Sequence, residues 1–154
     1  MSYAIDLTWA PGDGGPGPAG YRPDHRIAFP GGQAVTMSAA PDYGGNAAAV
    51  NPEEAMAAAL SSCHMMTFLA LCTKARWRLA GYRDHAVATL GRMENGRTRI
   101  ARITLNPVVA FETGHERTAA ELSVMHERAH RYCFVANSLS CEMQVVTPTE
   151  GDAE

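Results

Sequence analysis

The stretch NPEEAMAAALSSCHMMTFLALCTK, residues 51–74, organises the chain. Its first residue, Asn51, is a candidate N-cap, and Pro52 suits the first helical position because its missing N–H would be unpaired there anyway. The next two residues are glutamates, which place negative charge at the positive end of the helix dipole. No charged side chain follows until Lys74. A helix that is apolar nearly all round is buried or spans a membrane, and this one is rich in alanine and contains serine, threonine and histidine, which favours burial.

Alternating apolar and polar positions predict strands on both sides of this helix. Three are predicted before it, separated by the Pro/Gly stretch 11–20 and by Pro30-Gly31-Gly32: residues 3–9, 21–29 and 33–38. After it, residues 77–81 turn the chain, and two long strands are joined by the hairpin signal Asn95-Gly96: residues 82–93 and 97–111. Pro107 is expected at an edge or a bulge of the second long strand.

The remaining elements are a helix over 116–131, a short helical piece over 133–139 and a last strand over 142–147, followed by a frayed tail. The order is therefore β-β-β, α, β-β, α-α, β. Runs of antiparallel strands with segregated helices are typical of the α+β class. With 154 residues and no repeat or linker, we expect a single domain over 1–154.

Composition excludes several classes of function. The chain is 46% hydrophobic and 19% charged, which is globular rather than disordered. Its net charge is −3 and its basic residues form no dense block, so we expect no nucleic-acid partner. The N-terminus has no basic segment followed by an apolar run, and we expect a cytoplasmic protein without a membrane anchor.

The four cysteines define the candidate chemistry: Cys63, Cys72, Cys133 and Cys141. Permanent disulfides are not expected in the cytoplasm, and the absence of a CxxC pair leaves a zinc ribbon or a thioredoxin-type site unsupported. The cysteines are therefore either buried and inert or reactive. Cys72 follows Cys63 by nine positions, on the opposite side of an α-helix, and Cys141 opens the last strand, so both are interpreted as packing residues.

Two motifs resemble those of the OsmC/Ohr group of thiol-dependent hydroperoxide reductases. The first is Asn51-Pro52-Glu53 followed after nine residues by Cys63. The second is Ala129-His130 followed by Cys133 and, four positions later, Asn137. The order of strands and helices also matches over about 3–148. The resemblance implies an OsmC/Ohr-like α+β fold, with antiparallel sheets wrapped around a long buried central helix in an intertwined homodimer.

The resemblance also implies a reaction that needs no cofactor and no metal. Cys63 would be the peroxidatic thiol, which attacks the peroxide bond and becomes a sulfenic acid. Cys133 would be the resolving thiol, which condenses with it to a disulfide. A dithiol reductant, in several members a lipoylated protein, would regenerate the pair, and the two active sites would lie at the subunit interface. The substrates would be organic hydroperoxides, with hydrogen peroxide as a further candidate.

The family resemblance implies that a glutamate and an arginine hold the thiolate and the peroxide. Glu53 takes the first role. A cation is expected to lower the pKa of Cys63, because a buried apolar site would raise it, and arginine stays charged and pairs with carboxylates in fixed geometry. Arg22 and Arg26 are both candidates, and we favour Arg22; its structural interpretation is a solvated charge beside a strand.

Departures from the organic-hydroperoxide branch bear on the substrate. Phe134 stands where that branch has proline after the second cysteine, and His64 where it usually has an aromatic residue after the first. We assign His64, Met65 and Phe134 to substrate binding; the methionines are otherwise core filler. Cys63 and His64 are adjacent on a helix, so their side chains diverge and a Cys–His dyad is not expected.

Two other functions remain open from the sequence. The chain could be a small-ligand-binding or redox-sensing protein on the same fold, with Cys63 as a switch or a spectator. It could also be a structural dimer without chemistry. The pKa of Cys63 separates an enzyme or a sensor, which needs an acidic thiol, from a passive ligand pocket, which does not.

Overall fold

The structure is a computed structural model that describes residues 1–11 and 22–147. The chain divides into two compact units, Met1–Ala55 and Met56–Glu154. Most of the Pro/Gly stretch predicted at 11–20, the first residue of the strand predicted at 21–29 and the tail after 147 lie outside the described residues.

The first unit contains a three-stranded antiparallel sheet in the order β1 (Asp6–Thr8), β2 (His25–Ala28) and β3 (Ala34–Met37). These strands confirm the three predicted by alternation, although each is shorter than predicted. The turn predicted at Pro30-Gly31-Gly32 joins β2 to β3, and Gly32 adopts a positive φ of 83°, which glycine accommodates without strain.

The central helix α1 spans Pro52–Lys74 and confirms the predicted start. Asn51 Oδ1 accepts a hydrogen bond from the backbone N–H of Glu54 at 2.8 Å, and the Glu54 carboxylate accepts from the N–H of Asn51 at 3.0 Å. This reciprocal pair is a capping box, which satisfies two N–H groups that a helix start otherwise leaves unpaired. The buried residues of α1 form one stripe: Ala57, Leu60, His64, Phe68 and Cys72.

Helix α1 is long and apolar enough to cross a membrane by length and composition, yet this is weak evidence because the core helix of a soluble protein passes the same test. Its most apolar window is 28% buried within the chain. The exposed remainder includes Met56 and Met66, of which 39% and 58% are accessible. The helix therefore presents an apolar surface that one copy of the chain leaves uncovered.

The second unit contains two sheets. A two-stranded antiparallel sheet pairs β4 (Leu79–Arg83) with β7 (Val108–Phe111). A three-stranded sheet has the order β5 (Val87–Arg92), β6 (Thr98–Leu105) and β8 (Glu142–Val145), with β5 antiparallel and β8 parallel to β6. The Asn95-Gly96 turn joins β5 to β6, which confirms the predicted hairpin.

Each predicted long strand is instead two strands, so the single strands over 82–93 and 97–111 were wrong, as was the turn over 77–81. The first break begins at Asp84, whose carboxylate accepts hydrogen bonds from Ser61 Oγ (2.5 Å) and from the N–H of Asn106 (2.7 Å). The second break falls at Asn106 and the buried Pro107, which has no N–H to donate to a ladder.

Helix α2 spans Ala119–Tyr132 and starts three residues later than predicted. Thr118 caps it: its hydroxyl accepts from the N–H of Glu121 at 3.2 Å, and the Glu121 carboxylate accepts from the N–H of Thr118 at 2.9 Å. The helix ends at Tyr132, and the residue that caps it, Cys133, has an extended backbone. A 3₁₀ turn, Ala136–Ser138, follows where a short helical piece was predicted.

The core of the second unit consists of two clusters. The thiol cluster contains Cys133 with Cys63 and Cys141 packed against it, and its other buried members come from α1, β6 and the 3₁₀ turn: Ala57, Leu60, Ile103, Leu105 and Ala136. The helix-pair cluster joins α1 to α2 through buried residues of both: Phe68, Cys72, Met125 and Ala129. Helix α1 therefore contributes to both clusters, with Cys63 in one and Phe68 in the other.

Candidate thiol site

Cys63 and Cys133 are brought together from different elements of the second unit. Cys63 lies near the middle of α1 and is partly exposed, whereas Cys133 caps the end of α2 and is fully buried. Cys63 packs against the cluster that contains Cys133, and the thiol of Cys133 is one of the groups that lower the pKa of Cys63. The structure therefore places within one contact the two cysteines that the sequence motifs single out.

The pKa of Cys63 lies below its ordinary value. Burial alone would raise it, but hydrogen bonds from the backbone N–H of Val135, from the thiol of Cys133 and from the N–H of Phe134 outweigh the burial. Each of these donors stabilises the thiolate and not the neutral thiol. Cys63 is therefore the more nucleophilic sulfur of the pair, because the thiolate is the reactive form.

The pKa of Cys133 is raised to about 11, first by burial and then by its hydrogen bond to Cys63. Two N–H groups act in the opposite direction: that of Ala136, which lies 3.4 Å from its Sγ, and that of Val135. Cys133 is thus a neutral thiol that can donate its hydrogen to the Cys63 thiolate. The site is polarised, with a nucleophile at the accessible position and a proton donor at the buried one.

The chain after α2 supplies the amides of this site. Cys133 leaves the helical conformation, and the following residues turn into the 3₁₀ segment, so that the N–H groups of Phe134, Val135 and Ala136 are directed to the two sulfurs. Successive amides in such a turn form a concave anion-binding surface. Sequence reasoning missed these donors, because backbone groups leave no mark in residue type.

A cation was expected to lower the pKa of Cys63, but within residues 56–147 every group that does so is uncharged. Arg22 lies in the first unit with an exposed side chain, and its carbonyl accepts from the Trp9 indole N–H at 2.8 Å. Arg26 lies in β2 and Glu53 in the first turn of α1. The roles of Arg22 and Glu53 stay predictions.

The three residues assigned to substrate binding lie in different surroundings. His64 is fully buried, and its Nε2 is hydrogen-bonded to Nδ1 of His126 at 2.9 Å. Met65 is partly buried on α1. Phe134 is 82% exposed beside the buried Cys133. His64 therefore faces inward, and Phe134 lies at the surface; the assignment of the three residues to substrate binding stays a prediction.

Cys72 and Cys141 differ from the hydrogen-bonded pair. Cys72 is fully buried in the helix-pair cluster, and burial raises its pKa to about 11. Cys141 is partly buried against the thiol cluster. The surroundings of both agree with the packing role that the sequence predicts.

A cleft of about 540 Å³ lies between α2 and β8. It is lined by polar residues of α2, by two residues of β8 and by one residue that follows β8: Ser123, His126, Glu127, His130, Arg131, Met143, Val145 and Thr147. In the residues that the structure describes, no three side chains of histidine, cysteine, aspartate or glutamate are grouped so that they could hold a metal ion.

Comparison with known proteins places the chain in a family. The sequence model of OsmC-like proteins matches residues 44–147. An OsmC-like protein of unknown function from Vibrio cholerae is 35% identical, with a TM-score of 0.90 over 96% of this chain and 99% of that chain. No curated protein matches the sequence.

Two organic hydroperoxide resistance proteins share the fold. The protein from Legionella pneumophila, also named OsmC, is 13% identical, with a TM-score of 0.74 over 97% of this chain and 98% of that chain. The protein from Elizabethkingia anophelis is 20% identical, with a TM-score of 0.71 over 96% of this chain and 99% of that chain. The α+β fold class expected from the sequence is thereby confirmed, and the chain belongs to the OsmC-like family.

Proposed function

We propose that the protein is a cysteine-based peroxidase that reduces organic hydroperoxides through a Cys63 sulfenic acid and a Cys63–Cys133 disulfide. The observation that carries the proposal is the polarised pair: Cys63 has a lowered pKa and accepts a hydrogen bond from Cys133, whose pKa is raised to about 11. A two-cysteine peroxidase requires this division, with one sulfur ionised for attack and the other protonated in contact with it.

In the first step the Cys63 thiolate attacks one oxygen of the peroxide bond. The sulfur–oxygen bond forms as the oxygen–oxygen bond breaks, so that the sulfur is oxidised to a sulfenic acid and the peroxide is reduced to an alcohol. The leaving alkoxide takes up a proton. Donors around the sulfur, the N–H groups of Phe134 and Val135, are placed to hydrogen-bond an oxygen that carries developing negative charge.

In the second step Cys133 attacks the sulfur of the sulfenic acid. The disulfide forms and the sulfenic oxygen leaves as water, which takes up the Cys133 proton. A dithiol reductant then returns both cysteines to thiols and is itself oxidised to a disulfide. A lipoylated protein is our candidate for this reductant. Because Cys63 is the partly exposed sulfur, the reductant would attack there.

We further propose that the active form is a cytoplasmic homodimer with its active sites at the interface. Glu53 and Cys63 are ten positions apart on the single helix α1, a rise of about 15 Å, so these two side chains of one helix do not meet. A glutamate from a second copy could approach Cys63. The uncovered apolar surface of α1, with Met56 and Met66 exposed, supports burial of this helix against that copy.

Arg22 and Glu53 would then orient the peroxide at the interface. A guanidinium pairs with a carboxylate in a planar, bidentate geometry and stays charged at any physiological pH. Substrate range would depend on the apolar side chains bordering Cys63, for which Met65 and Phe134 are our candidates. Neighbours of the same fold are named organic hydroperoxide resistance proteins, which supports organic hydroperoxides as the substrate class ahead of hydrogen peroxide.

The test is steady-state consumption of cumene hydroperoxide with dihydrolipoamide as the reductant. We expect turnover by the wild type, its loss to the uncatalysed rate in Cys63→Ser, and wild-type turnover in the matched control Cys141→Ser. Full consumption by Cys63→Ser would refute the proposal, since the proposal makes Cys63 the sulfur that attacks the peroxide.

A redox-sensing role on the same fold is the alternative function, and one result of the comparisons supports it. The relative at 35% identity is a protein of unknown function, whereas the two hydroperoxide resistance proteins compared above are at most 20% identical. A sensor would form the Cys63–Cys133 disulfide once and keep it. Oxidation without turnover in the presence of dihydrolipoamide would select this alternative.

A further inference from the structure

Two histidines meet in the core beside the thiol pair. His64 of α1 and His126 of α2 are 0% and 2% exposed, and the Nε2 of the first lies 2.9 Å from the Nδ1 of the second. The His126 ring also stacks on Phe68, with ring centroids 4.2 Å apart and planes inclined by 18°. Two side chains 62 positions apart in the sequence are thus fixed in both distance and orientation.

Within the ranges Pro52–Lys74 and Ala119–Tyr132, this contact is the one side-chain hydrogen bond that the structure describes between α1 and α2; the thiol contact involves Cys133, the residue that caps α2. The other contacts between the two helices belong to the helix-pair cluster, which is apolar. Apolar burial is non-directional, so it favours contact without selecting one register of the two helices. A hydrogen bond is directional and weakens steeply with misalignment, so the histidine pair selects the register.

The pair leaves two polar atoms without partners, Nδ1 of His64 and Nε2 of His126. Either tautomer that makes the bond leaves one N–H and one lone pair unpaired, because each neutral imidazole has one donor and one acceptor. Unpaired buried polar atoms oppose folding, whereas apolar residues at these two positions would leave no buried polar atom without a partner. Stability alone therefore does not account for the pair, which points to a role in placing groups precisely.

The groups that the pair can place are the two thiols. His64 directly follows Cys63 on α1. His126 precedes Cys133 by seven positions, which is about two turns of α2. A shift of α2 by one turn along α1 would move Cys133 by about 5 Å and break its hydrogen bond with Cys63.

We propose that His64 and His126 are positioning residues of the thiol site, whose hydrogen bond fixes the register of α2 on α1 and so keeps Cys133 in contact with Cys63. The inference rests on the proposed role of these two cysteines as the reactive pair. In this proposal neither histidine contacts the hydroperoxide. Each acts by holding its own helix, α1 for His64 and α2 for His126, in the position that keeps the thiols in contact.

The charge state of the pair agrees with this role. Burial, followed by the charge of the nearby His130, lowers the pKa of His64 to about 4, although Asp84 acts in the opposite direction. Burial, followed by the charge of His64, lowers the pKa of His126 to about 4. The Tyr82 ring is the neighbour from β4. At neutral pH both imidazoles are thus uncharged, and one donates to the other.

The experiment compares two substitutions of His126 in a chain that also carries Cys72→Ala and Cys141→Ala. His126→Phe keeps an aromatic ring on Phe68 and removes the hydrogen bond. His126→Asn retains an amide at the position of Nδ1. The readouts are the equilibrium constant of the Cys63–Cys133 disulfide in glutathione buffers and the pH midpoint of Cys63 alkylation by iodoacetamide.

We expect His126→Phe to lower the disulfide equilibrium constant by about tenfold or more and to move the alkylation midpoint to higher pH, since the effective concentration of one thiol at the other depends on how closely the two helices hold them together. His126→Asn should recover most of both losses. The matched control Met125→Ala removes apolar packing from the same helix pair; it should lower the melting temperature and leave both readouts within about twofold of the parent.

Two results would overturn the inference: unchanged readouts in His126→Phe, or an equal change in Met125→Ala. If His126→Phe does not fold, the pair His64→Leu and His64→Gln applies the same comparison from α1, because the glutamine amide reaches the position of Nε2.

Neither readout uses a peroxide, so the inference and the proposed function can fail separately. A parent chain that forms the disulfide but consumes no hydroperoxide would refute the peroxidase and leave the positioning role intact. A chain that consumes hydroperoxide and whose His126→Phe variant keeps both readouts would refute the positioning role alone.

Discussion

The thiol of Cys133 is hydrogen-bonded to Cys63, and the two sulfurs have opposite acidities: the pKa of Cys63 is lowered and that of Cys133 is raised to about 11. Their positions match this division, because Cys63 is partly exposed and Cys133 is buried. The order of events in an oxidation follows from it. Cys63 reacts first, and Cys133 responds once its neighbour has become an electrophile.

Removal of Cys133 should make Cys63 less acidic. In Cys133→Ala the thiolate loses one donor, while those from Val135 and Phe134 remain, so the alkylation midpoint of Cys63 should move to higher pH. The measurement is the rate of iodoacetamide alkylation against pH, followed by peptide mapping. Cys141→Ala is the control and should leave the midpoint in place. An unchanged midpoint in Cys133→Ala would mean that the hydrogen bond does not stabilise the thiolate.

Loss of the resolving thiol should expose Cys63 to overoxidation. In Cys133→Ser the sulfenic acid finds no thiol in contact, so excess cumene hydroperoxide should carry it to the sulfinic acid, a gain of two oxygen atoms at Cys63. The measurement is intact mass with time after addition of peroxide. A disulfide from Cys63 to Cys141 in this variant would contradict the packing role of Cys141.

The histidine pair should make the protein sensitive to acid. Burial lowers the pKa of both imidazoles from 6.5 to about 4, so the unfolded chain binds more protons than the folded one between these values. The free energy of unfolding therefore carries no penalty from the two histidines above about pH 6.5. It falls as the pH drops toward 4, by up to about 1.4 kcal/mol per pH unit for each histidine.

Urea unfolding at pH 7 and pH 5 measures this loss. The double variant His64→Leu/His126→Phe removes both buried imidazoles, and its free energy of unfolding should fall less between the two pH values than that of the wild type. Equal losses in the two proteins would show that other groups account for the acid sensitivity.

Asp84 should be a strong determinant of stability in the second unit. Its two oxygens accept from Ser61 of α1 and from the N–H of Asn106, which joins the β4–β5 and β6–β7 corners to the central helix. Asp84→Ala leaves both donors without their partner and should reduce the free energy of unfolding by about 1–3 kcal/mol per unsatisfied group.

Urea unfolding at pH 7 checks this prediction, with Glu94→Ala as the control because that carboxylate lies exposed in the hairpin turn. Equal stability of Asp84→Ala and Glu94→Ala would contradict the anchoring role of Asp84.

Local signals in the sequence were sufficient for the features that depend on near neighbours. Asn51 and Pro52 marked the start of α1, and the capping box confirms it. Asn95-Gly96 marked the hairpin between β5 and β6. These predictions succeeded because a cap and a short hairpin turn depend on residues within a few positions of each other.

Features that depend on distant partners could not be predicted in this way. The break between β4 and β5 begins at Asp84, whose hydrogen-bond partners lie 23 and 22 positions away. His126 had no assignment from the sequence, because its partner is 62 positions away. A cation was expected beside Cys63, but the second unit lowers the pKa of this thiol with backbone N–H groups and uncharged side chains. Every residue type except proline has a backbone N–H, so the residue type does not reveal such a donor.

The most direct test of the account is stoichiometric oxidation of the reduced wild-type protein with cumene hydroperoxide, followed by intact mass and peptide mapping. The account predicts a loss of two hydrogens at about one equivalent of peroxide, mapped to a link between Cys63 and Cys133. The absence of reaction, or oxidation scattered over methionines, Cys72 and Cys141, would contradict it.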